Sequence, residues 1–410
     1  MGKRQNCRGC DSNDLILVLS LGETPLANAF LKEEDLEKPE AIYPLDLYYC
    51  RKCHLLQLLE VVDPEILFKE YIYVTGTSET MALHNSKLAD TILKRQKLTR
   101  SDLVLEIASN DGSLLSCFKR YGVRTLGVEP SKNVATIARE KGIEIINRFF
   151  DKESVLEIQS THGLANVIIA NNVLAHVDDI IGFLKRALKL LKPGGIIVVE
   201  VPYLIDMKDN LEYDTIYHEH LCYFSVISLM QIYVAVGLSI TQIDRLQVHG
   251  GSLRIYASSK SEAQDHHPDI YQLAEKEKQY GLMEERTYLE FARKVHKNKK
   301  DLLNLIEDLN TKRKTIAAYG APAKGNTLLN FCKIGRNYLR YIVDMSPHKV
   351  GKYTPGMHIP VYSVSRLLEE QPDYTLLLAW NFKNEIIRQQ KTYLSRGGHF
   401  ILPIPHPTII

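Results

Sequence analysis

The sequence contains an acid-rich turn with the composition of a nucleotide-binding site. Residues 103–115 read LVLEIASNDGSLL, so three apolar positions lead into Glu106 and then into a small polar run ending at Gly112. This pattern predicts a strand, a tight turn and a helix, because apolar residues resume at helical spacing after the turn. A second acid, Glu129, closes the next apolar segment. An acid at that place can accept both ribose hydroxyls of an adenosine.

In a parallel α/β sheet, such a turn lies at the carboxyl ends of the strands. Amides at the helix N-terminus and nearby acids can hold a nucleotide-like ligand there. We expect the residues after the first, second and fourth strands to line this site. The expected ligand-binding residues are Glu106, Ala108, Ser109, Asn110, Gly112, Glu129, Pro130, Asn171, Asn172 and His176.

Three features of this region favour S-adenosylmethionine over a dinucleotide. The single Gly112 leaves too few glycines for the close approach that a pyrophosphate needs. Residues 170–177, ANNVLAHV, place amide and imidazole groups at the end of the fourth strand, where the sulfonium side of that cofactor would lie. Residues 192–195, KPGG, resemble the turn before the fifth strand of class I methyltransferases.

Four of the seven cysteines form two C-x-x-C pairs, Cys7 with Cys10 and Cys50 with Cys53. Two such pairs supply the four thiolates of a tetrahedral zinc site, and a closed site of four cysteines is structural. The intervening segment is rich in turn residues, so we expect the metal to replace a core that it is too small to build.

Length and charge narrow the possible classes of protein. A chain of 410 residues predicts two or three domains. The formal charge of +2 offers no large positive field, which argues against nucleic acid as a partner. We expect no membrane span and no signal peptide, because the apolar runs are short and the N-terminus lacks an apolar segment. We therefore expect a cytoplasmic protein, and a monomer.

Alternating strand and helix patterns predict an α/β fold with two doubly wound units. The first covers 102–259, with a helix at 180–191 that KPGG ends and a final pair of strands, 238–244 and 252–258, that should be antiparallel. A second unit starts at 315, and its glycine loop lacks the G-x-G-x-x-G spacing. The predicted boundaries are a zinc-binding domain at 1–70, a methyltransferase domain at 71–260, a helical linker at 261–312 and a Rossmann-like domain at 313–410.

The combination of motifs resembles the three-domain sugar C-methyltransferases. That family has a small zinc-binding domain, a central S-adenosylmethionine domain and a C-terminal Rossmann-like domain, and it acts on nucleotide-linked 4-keto-deoxysugars. The resemblance covers nearly the whole chain. The matching segments are 7–10, 25–28 (PLAN), 50–58, 71–78, 106–112, 171–177, 217–220 (YHEH), 249–254, 320–330 and 351–356.

This resemblance implies an enolate mechanism, in which a carbon beside a ketone loses a proton and then attacks the sulfonium methyl group. Such a reaction needs a base and a stabiliser for the oxyanion. The family's motif places the base at the last histidine of YHEH, here His220. The further catalytic candidates are Tyr217, Glu219, Tyr71 and Tyr73, where the tyrosines would hold the enolate oxygen. If the motif is extended, His218 and His220 share a face.

The resemblance also implies a nucleotide site, with dTDP as the nucleotide and C-3 of the sugar as the methylated carbon. A lysine beside a helix N-terminus can hold the diphosphate. The expected substrate-binding residues are His249, Ser252, Lys324, Asn326, Asn330, Lys352 and Tyr353.

Several interpretations remain open at this point. A zinc-containing methyltransferase could instead act on RNA, on protein or on another small molecule. A nucleotide-sugar-binding module without catalysis is a further alternative, because Rossmann-like folds also bind without catalysing. A dehydrogenase acting through the C-terminal domain is another. Residues 67–81 could form either a hairpin edge or a lid over a polar ligand.

Overall fold

The computed structural model describes residues 2–68, 74, 76, 79–261 and 268–410, without the side chains of Glu79 and His249. The predicted oxyanion ligands Tyr71 and Tyr73 lie outside the described residues. So does much of 67–81, and the hairpin and lid alternatives for that segment stay open. The chain enters it from helix α1 (Pro64–Phe68) and leaves it through helix α2 (Glu79–Gln96).

The N-terminal part is an antiparallel sheet. Its strands are β1 (Leu15–Pro25), β2 (Ile42–Cys50) and β3 (Leu56–Leu58). A short strand from the middle of the chain pairs with β3 as a fourth member. The sheet therefore joins the cysteine-rich segment to the methyltransferase region through backbone hydrogen bonds.

The central part confirms the predicted alternation of strands and helices. Its elements are β4 (Leu103–Ile107), α3 (Ser113–Lys119), β5 (Arg124–Val128), α4 (Lys132–Glu140), β6 (Glu144–Ile146), α5 (Lys152–Thr161), β7 (Ala165–Asn171), α6 (Ile180–Leu190), β8 (Leu191–Pro202), α7 (Leu204–Asp209), β9 (Cys222–Tyr223), α8 (Val226–Ala235), β10 (Leu238–Leu246) and β11 (Ser252–Ser259). Continuous apolar runs explain the strands, because both faces of the sheet are buried.

The central sheet has the strand order β10-β11-β8-β7-β4-β5-β6. Strand β11 is antiparallel to β10, as predicted, and it is also antiparallel to β8. The helix predicted at 180–191 is α6, which ends at Leu190, directly before strand β8 starts at Leu191. Residues 192–195 form a bulge in β8, because β8 advances from Leu191 to Ile196 while β7 advances only from Ala165 to Val167.

Two helices follow the central sheet, α9 (Pro268–Gln279) and α10 (Glu285–Thr311). In the basic run at 294–300, Lys294, Lys297 and Lys300 are exposed, while Val295 and Asn298 are buried. Asn298 donates hydrogen bonds to the carbonyls of Pro403 and Pro405 and accepts one from the Tyr213 hydroxyl. Helix α10 thus packs between the central and C-terminal parts of the chain.

The C-terminal part is a second, mostly parallel sheet with the order β14-β13-β12-β15-β16-β17. Its elements are β12 (Ile316–Tyr319), α11 (Ala323–Cys332), β13 (Ile342–Val343), β14 (Val361–Tyr362), α12 (Arg366–Glu370), β15 (Tyr374–Leu377), α13 (Lys383–Gln389), α14 (Lys391–Ser395), β16 (His399–Leu402) and β17 (Thr408–Ile409). Helices α13 and α14 follow each other directly, separated by Gln390. Among the described residues, no helix has the length and apolar character needed to cross a membrane.

Candidate active site

The turn after β4 has an unusual backbone. Ala108, Asn110 and Gly112 all have positive φ angles, 53°, 50° and 70°. At Gly112 an added Cβ would lie only 3.0 Å from Ile143 and 3.1 Å from Ala138, so this position combines a left-handed backbone with close packing. One glycine is therefore sufficient to turn the chain tightly into α3.

Two polar side chains of this turn have acceptor atoms without a hydrogen-bond partner among the described residues, Glu106 Oε2 and Ser109 Oγ. Both residues are buried. Burial, together with the nearby carboxylates of Asp111, Glu129 and Glu200, raises the pKa of Glu106 well above its usual range. A buried acceptor of this kind suits a ligand that brings a hydrogen-bond donor or a positive charge.

Glu129 lies at the end of β5, facing the same turn. Its Oε2 accepts a hydrogen bond from the Asn110 amide at 2.9 Å, and its Oε1 accepts one from the Ser131 amide at 2.8 Å. Burial raises the pKa of Glu129, and these amides partly oppose the rise. Each carboxylate oxygen keeps a further lone pair, so the fixed carboxylate can still accept hydroxyl donors. Pro130 follows, and its carbonyl accepts a hydrogen bond from Asn147.

Asp111 belongs to this turn although the sequence analysis left it out. Its Oδ2 accepts hydrogen bonds from Lys141 at 2.6 Å, from the Ser113 hydroxyl at 2.8 Å and from the Gly76 amide at 3.1 Å. Asp111 therefore connects the turn after β4 to the segment that precedes α2. Its place just before the glycine was a signal that sequence reasoning could have used.

The fourth strand of the central unit, β7, ends at Asn171, next to strand β8. Asn172 has a φ of 55°, and its amide donates to the Glu200 carbonyl at 2.8 Å. Asn171 Oδ1 and His176 Nδ1 have no hydrogen-bond partner among the described residues. Burial lowers the pKa of His176 to about 4, so its imidazole is neutral at physiological pH. This loop therefore offers neutral polar groups beside the turn after β4.

Glu200 also belongs to a buried polar group that the sequence did not predict. Its carboxylate pairs with Arg254 at 2.6 Å and with His84 of α2 at 2.8 Å. Burial alone would raise the pKa of Glu200, but His84 and Arg254 together lower it. The group connects α2 to strands β8 and β11 at the end of the sheet where Asn171 lies.

The YHEH motif forms a turn, so the extended arrangement considered for it is wrong. The His220 amide donates to the Tyr217 carbonyl at 2.8 Å, and His218 and His220 contact different groups. His220 Nδ1 donates to the Thr215 carbonyl at 2.9 Å, because a carbonyl can only accept. In the neutral ring Nε2 is then the acceptor, and the Tyr217 hydroxyl lies 2.8 Å from it. This arrangement leaves the basic nitrogen on the tyrosine side.

The rings of His176 and His220 lie in contact, with their centroids 4.8 Å apart and their planes at 72°. Phe68 packs edge-on against His176 at 5.8 Å. The structure thus brings the predicted base next to the predicted cofactor loop. The two motifs are far apart in the sequence, and only the fold places them together.

The two middle residues of the motif point toward the N-terminal domain. His218 Nε2 donates to the Pro44 carbonyl at 3.2 Å, and burial lowers its pKa. Glu219 is buried and accepts a hydrogen bond from Asn28 at 2.7 Å, and burial raises its pKa to about 7. Asn28 ends the PLAN segment and is a contact that sequence reasoning did not assign.

The PLAN segment also reaches the C-terminal domain. Asn326 donates to the Ala27 carbonyl at 2.7 Å, and Asn330 donates to the carbonyls of Asn326 and Pro355. Tyr353 forms an isolated antiparallel bridge with Leu31. The amides of Asn326 and Asn330 therefore hold backbone, while the neighbouring Lys352 is partly exposed. These predicted substrate residues lie together around one interdomain contact.

Lys324 lies at the beginning of α11 and faces buried acids. Its Nζ is 4.6 Å from the centroid of the Trp380 ring, and the Trp380 indole donates to Asp214 at 2.7 Å. Burial raises the pKa of Asp214 to about 6 and that of Glu212 to about 7, and the charge of Lys324 opposes both shifts. Asp214, Glu212 and Trp380 were not predicted as site residues.

The HGGS segment packs against Glu212, one of these acids. An added Cβ at Gly250 would lie 2.5 Å from the Glu212 oxygens, and the φ angles of Gly250 and Gly251 are 92° and 128°. Ser252 is buried at the start of β11, and its hydroxyl donates to the Val248 carbonyl at 3.1 Å. The predicted residue His249 lies here, but its side chain is outside the described set.

The four cysteines form a compact cluster. The sulfurs of Cys7, Cys10, Cys50 and Cys53 lie within 4.8 Å of one another, with Cys7 and Cys53 at 3.4 Å and Cys10 and Cys50 at 3.6 Å. A tetrahedral zinc with Zn–S bonds of about 2.3 Å places its sulfurs about 3.8 Å apart. The donor set therefore fits a structural zinc.

Comparisons with known proteins cover all three parts of the chain. Family models match a zinc binding domain at residues 7–68, a methyltransferase domain at 81–243 and a C-methyltransferase C-terminal domain at 247–405. C-methyltransferase NovU of Streptomyces niveus is 39% identical over 98% of this chain and 96% of its own length.

Other relatives match only part of the chain. A ubiquinone biosynthesis O-methyltransferase of Bradyrhizobium sp. (strain ORS 278) is 32% identical over 23% of this chain and 38% of its own length. Among solved structures, the CcbJ methyltransferase from Streptomyces caelestis is 17% identical, with a TM-score of 0.35, over 43% of this chain and 89% of that one.

The likeness to NovU extends across the zinc-binding, methyltransferase and C-terminal parts without a large gap. A match of that extent and identity shows the family that the sequence motifs indicated. The chain therefore belongs to the three-domain C-methyltransferases and is an S-adenosylmethionine-dependent C-methyltransferase with a structural zinc.

Proposed function

We propose that the enzyme methylates C-3 of a dTDP-linked 4-keto-deoxysugar in deoxysugar biosynthesis. The main support is the arrangement around His220, whose Nδ1 donates to Thr215 while Nε2 faces the Tyr217 hydroxyl. This pairing fixes the tautomer that can accept a proton at Nε2, with a phenol donor beside it. A base and an oxyanion donor side by side are what enolate formation next to a ketone requires.

In this proposal the substrate ketone takes over the hydrogen bond of Tyr217. The phenol then donates to the ketone oxygen, and His220 Nε2 becomes available for the C-3 proton. The C–H electron pair forms the enolate double bond, the carbonyl electrons move to the oxygen, and the proton stays on His220. Tyr71 and Tyr73 remain proposed as further donors to that oxygen.

The cofactor supplies the methyl group when it is bound. We assign Glu129 to its ribose, and the turn around Glu106 and Ser109 to its amino-acid part, because their unpartnered acceptors suit an ammonium group. Asn171 and Asn172 and the neutral His176 lie on the side of the reacting carbon. A neutral histidine there avoids repulsion with the sulfonium charge.

We assign the nucleotide diphosphate to the beginning of α11. Lys324 lies there beside the first amides of the helix, a combination that favours anions. Lys352 is partly exposed in the same region, close to the Tyr353 bridge. Lys324 also faces Asp214 and Glu212, so the diphosphate would share this lysine with two buried carboxyls.

Product analysis on a panel of nucleotide-linked sugars tests this function. The purified protein, S-adenosylmethionine and each of several 4-keto-6-deoxyhexoses linked to dTDP or another nucleotide are incubated, and products are identified by mass spectrometry and NMR. We expect one added methyl group on C-3, and only when the 4-ketone is present. Transfer to oxygen, to another carbon, or to a non-sugar acceptor in preference to every sugar would contradict the proposal.

A further inference from the structure

Arg8 lies inside the first zinc knuckle, between Cys7 and Cys10, but its side chain points toward the methyltransferase domain and is fully buried. Its Nε donates to Asp178 at 3.0 Å, and its Nη1 donates to the Leu58 carbonyl and lies 3.4 Å from Gln57 Oε1. One guanidinium thus contacts two separate segments of the chain.

The first segment is the loop that carries His176. Asp178 lies two residues after His176, and Arg4 also donates to its carboxylate at 3.1 Å. The chain around the histidine is therefore fixed by two arginines from the N-terminal segment. Without them, Asp178 would have no cationic partner among the described residues.

The second segment is strand β3, which is hydrogen-bonded to the residues that directly follow His220. The Leu58 amide donates to the Leu221 carbonyl at 3.0 Å, and Gln57 pairs with Cys222 of β9. Gln57 is fully buried, and its side-chain amide donates to Cys7 Sγ at 3.0 Å while its Oε1 accepts from the Arg8 amide. His220 immediately precedes Leu221. Arg8 of the zinc knuckle is therefore connected to the predicted base through Leu58 and Leu221.

The two histidine loops also meet directly, because the Leu221 amide donates to the Ala175 carbonyl at 2.7 Å. We propose that Arg8 is a positioning residue, which holds the His176 loop and the His220 loop at a fixed separation from the zinc knuckle. The planar fork of arginine can make these divergent contacts at once, and lysine cannot. The catalytic consequence rests on the proposed role of His220, whereas the positioning of the rings does not.

The second knuckle provides a matched control. Arg51 follows Cys50 as Arg8 follows Cys7, but its side chain is 48% exposed and it pairs with Asp14 and Glu285 at the surface. The two arginines thus occupy equivalent positions in the sequence, but the side chain of Arg8 is buried and that of Arg51 is exposed. Substitution of Arg51 removes the same chemical group next to a zinc ligand without touching either histidine loop.

The experiment compares Arg8→Met, Arg8→Lys, Asp178→Asn and Arg51→Met with the wild type. Zinc content and thermal unfolding show whether each protein is folded and loaded. Ring resonances of ¹⁵N-labelled histidine, assigned with His176→Asn and His220→Asn, report the positions of the two rings. Steady-state kinetics separate kcat from KM for the methyl acceptor found by product analysis.

We expect Arg8→Met and Arg8→Lys to keep one zinc per chain and to shift the resonances of both rings. Asp178→Asn should shift the His176 ring, and Arg51→Met should shift neither. A displaced base should lower kcat by about tenfold to a hundredfold, with a smaller change in KM. Shifted resonances with unchanged kcat would leave Arg8 as a positioning residue but contradict the role of His220.

Wild-type ring resonances in both Arg8→Lys and Asp178→Asn would overturn the proposal. If Arg8→Met fails to fold, Asp178→Asn decides the question, because that substitution is outside the zinc knuckle. Equal shifts in Arg51→Met and Arg8→Met would also overturn it, since they would reflect a general disturbance of the zinc site.

Discussion

The central and C-terminal sheets of this protein, both mostly parallel, differ at their first strand-to-helix turn. In the central sheet, the turn between β4 and α3 leaves Glu106 Oε2 and Ser109 Oγ without partners among the described residues. In the C-terminal sheet, Asp344 follows the second strand as Glu129 does in the central sheet, and its two oxygens likewise accept from amides, those of Ala321 at 2.6 Å and Ser346 at 2.7 Å.

In the C-terminal sheet, a lysine side chain of the protein occupies the turn between β12 and α11. Lys349 is partly buried, with 14% of its side chain exposed; it donates to the Ala321 carbonyl at 2.8 Å and lies 3.9 Å from Asp344. Burial lowers the pKa of Lys349, and Phe30 of the N-terminal part lies against it. Topology alone therefore does not make a nucleotide site; acceptor atoms that remain available to a ligand do. This difference weighs against a dehydrogenase acting through the C-terminal sheet.

The largest expected effect concerns the base on the central side. His220→Asn keeps a polar side chain but cannot accept the proton, so methyl transfer should fall by a factor of roughly 10² or more. Exchange of the substrate proton with solvent, followed by NMR with S-adenosylhomocysteine bound, should fall equally, while calorimetry should show retained cofactor binding. Full exchange in His220→Asn, and its loss in a Tyr71→Phe or Tyr73→Phe variant, would move the base to a tyrosine.

The acids of the two sheets allow a paired test of where the cofactor binds. Glu129→Ala removes a charge-assisted contact to the ribose and should weaken S-adenosylmethionine binding by about 1.5 to 3 kcal/mol. Asp344→Asn, which removes the charge at the equivalent position of the C-terminal sheet, should leave the affinity unchanged in the same calorimetric titration. A loss of affinity in Asp344→Asn, with wild-type affinity in Glu129→Ala, would show that the cofactor binds at the C-terminal sheet instead.

The acids also predict how stability depends on pH. Burial raises the pKa of Glu219 to about 7, so the folded state binds its proton more tightly than the unfolded chain does. The stability from this proton is complete below the ordinary pKa of a glutamate and is lost as the pH rises through about 7. The free energy of unfolding should therefore fall less between pH 5 and pH 8 in Glu219→Gln than in the wild type, by on the order of 1 to 3 kcal/mol.

Urea unfolding at several pH values measures this difference, and the other buried acids are common to both proteins. Asp373 of the C-terminal sheet provides the contrast, because hydrogen bonds from Thr315 lower its pKa to about 2. Asp373→Asn should leave the pH dependence between 5 and 8 as it is in the wild type. An identical pH profile in Glu219→Gln and the wild type would show that Glu219 stays ionised in the folded protein.

The smallest expected effect tests the ligand of the C-terminal side. Lys324→Met should raise the KM for the nucleotide-linked sugar by about tenfold, which corresponds to roughly 1.4 kcal/mol, and leave the affinity for S-adenosylmethionine unchanged. Lys333→Met, at the other end of the same helix and exposed, is the control. Equal KM values in both variants would contradict the assignment of the diphosphate to Lys324.

The strands of both sheets could be predicted because each is a local apolar run between turn residues. The zinc ligands followed from their spacing. The conformation of the YHEH motif could not be predicted, since His218 contacts the Pro44 carbonyl and Glu219 contacts Asn28, 174 and 191 residues away. Periodicity carries no information about such distant partners.

Other features were missed for a similar reason. The bulge at KPGG depends on the register with β7, which advances from Ala165 to Val167 while β8 advances from Leu191 to Ile196, and the local sequence does not show that register. The inward direction of Arg8 could not be read from a motif that it shares with Arg51. Asp214 and Trp380 were missed because each is an ordinary residue in sequence, and only their 2.7 Å contact connects them.

The buried contacts of Asn298 affect how the protein is made. This asparagine in α10 completes its hydrogen bonds with carbonyls 105 and 107 residues further along, at Pro403 and Pro405. At a synthesis rate of about 5 to 20 residues per second, a ribosome needs roughly 5 to 20 seconds to produce that stretch. During this interval the side-chain amide of Asn298 and the part of α10 that packs against the C-terminal region have no native partner. A nascent chain paused before residue 403 should therefore be a substrate for chaperones and proteases, although its zinc-binding and methyltransferase domains have already been synthesised.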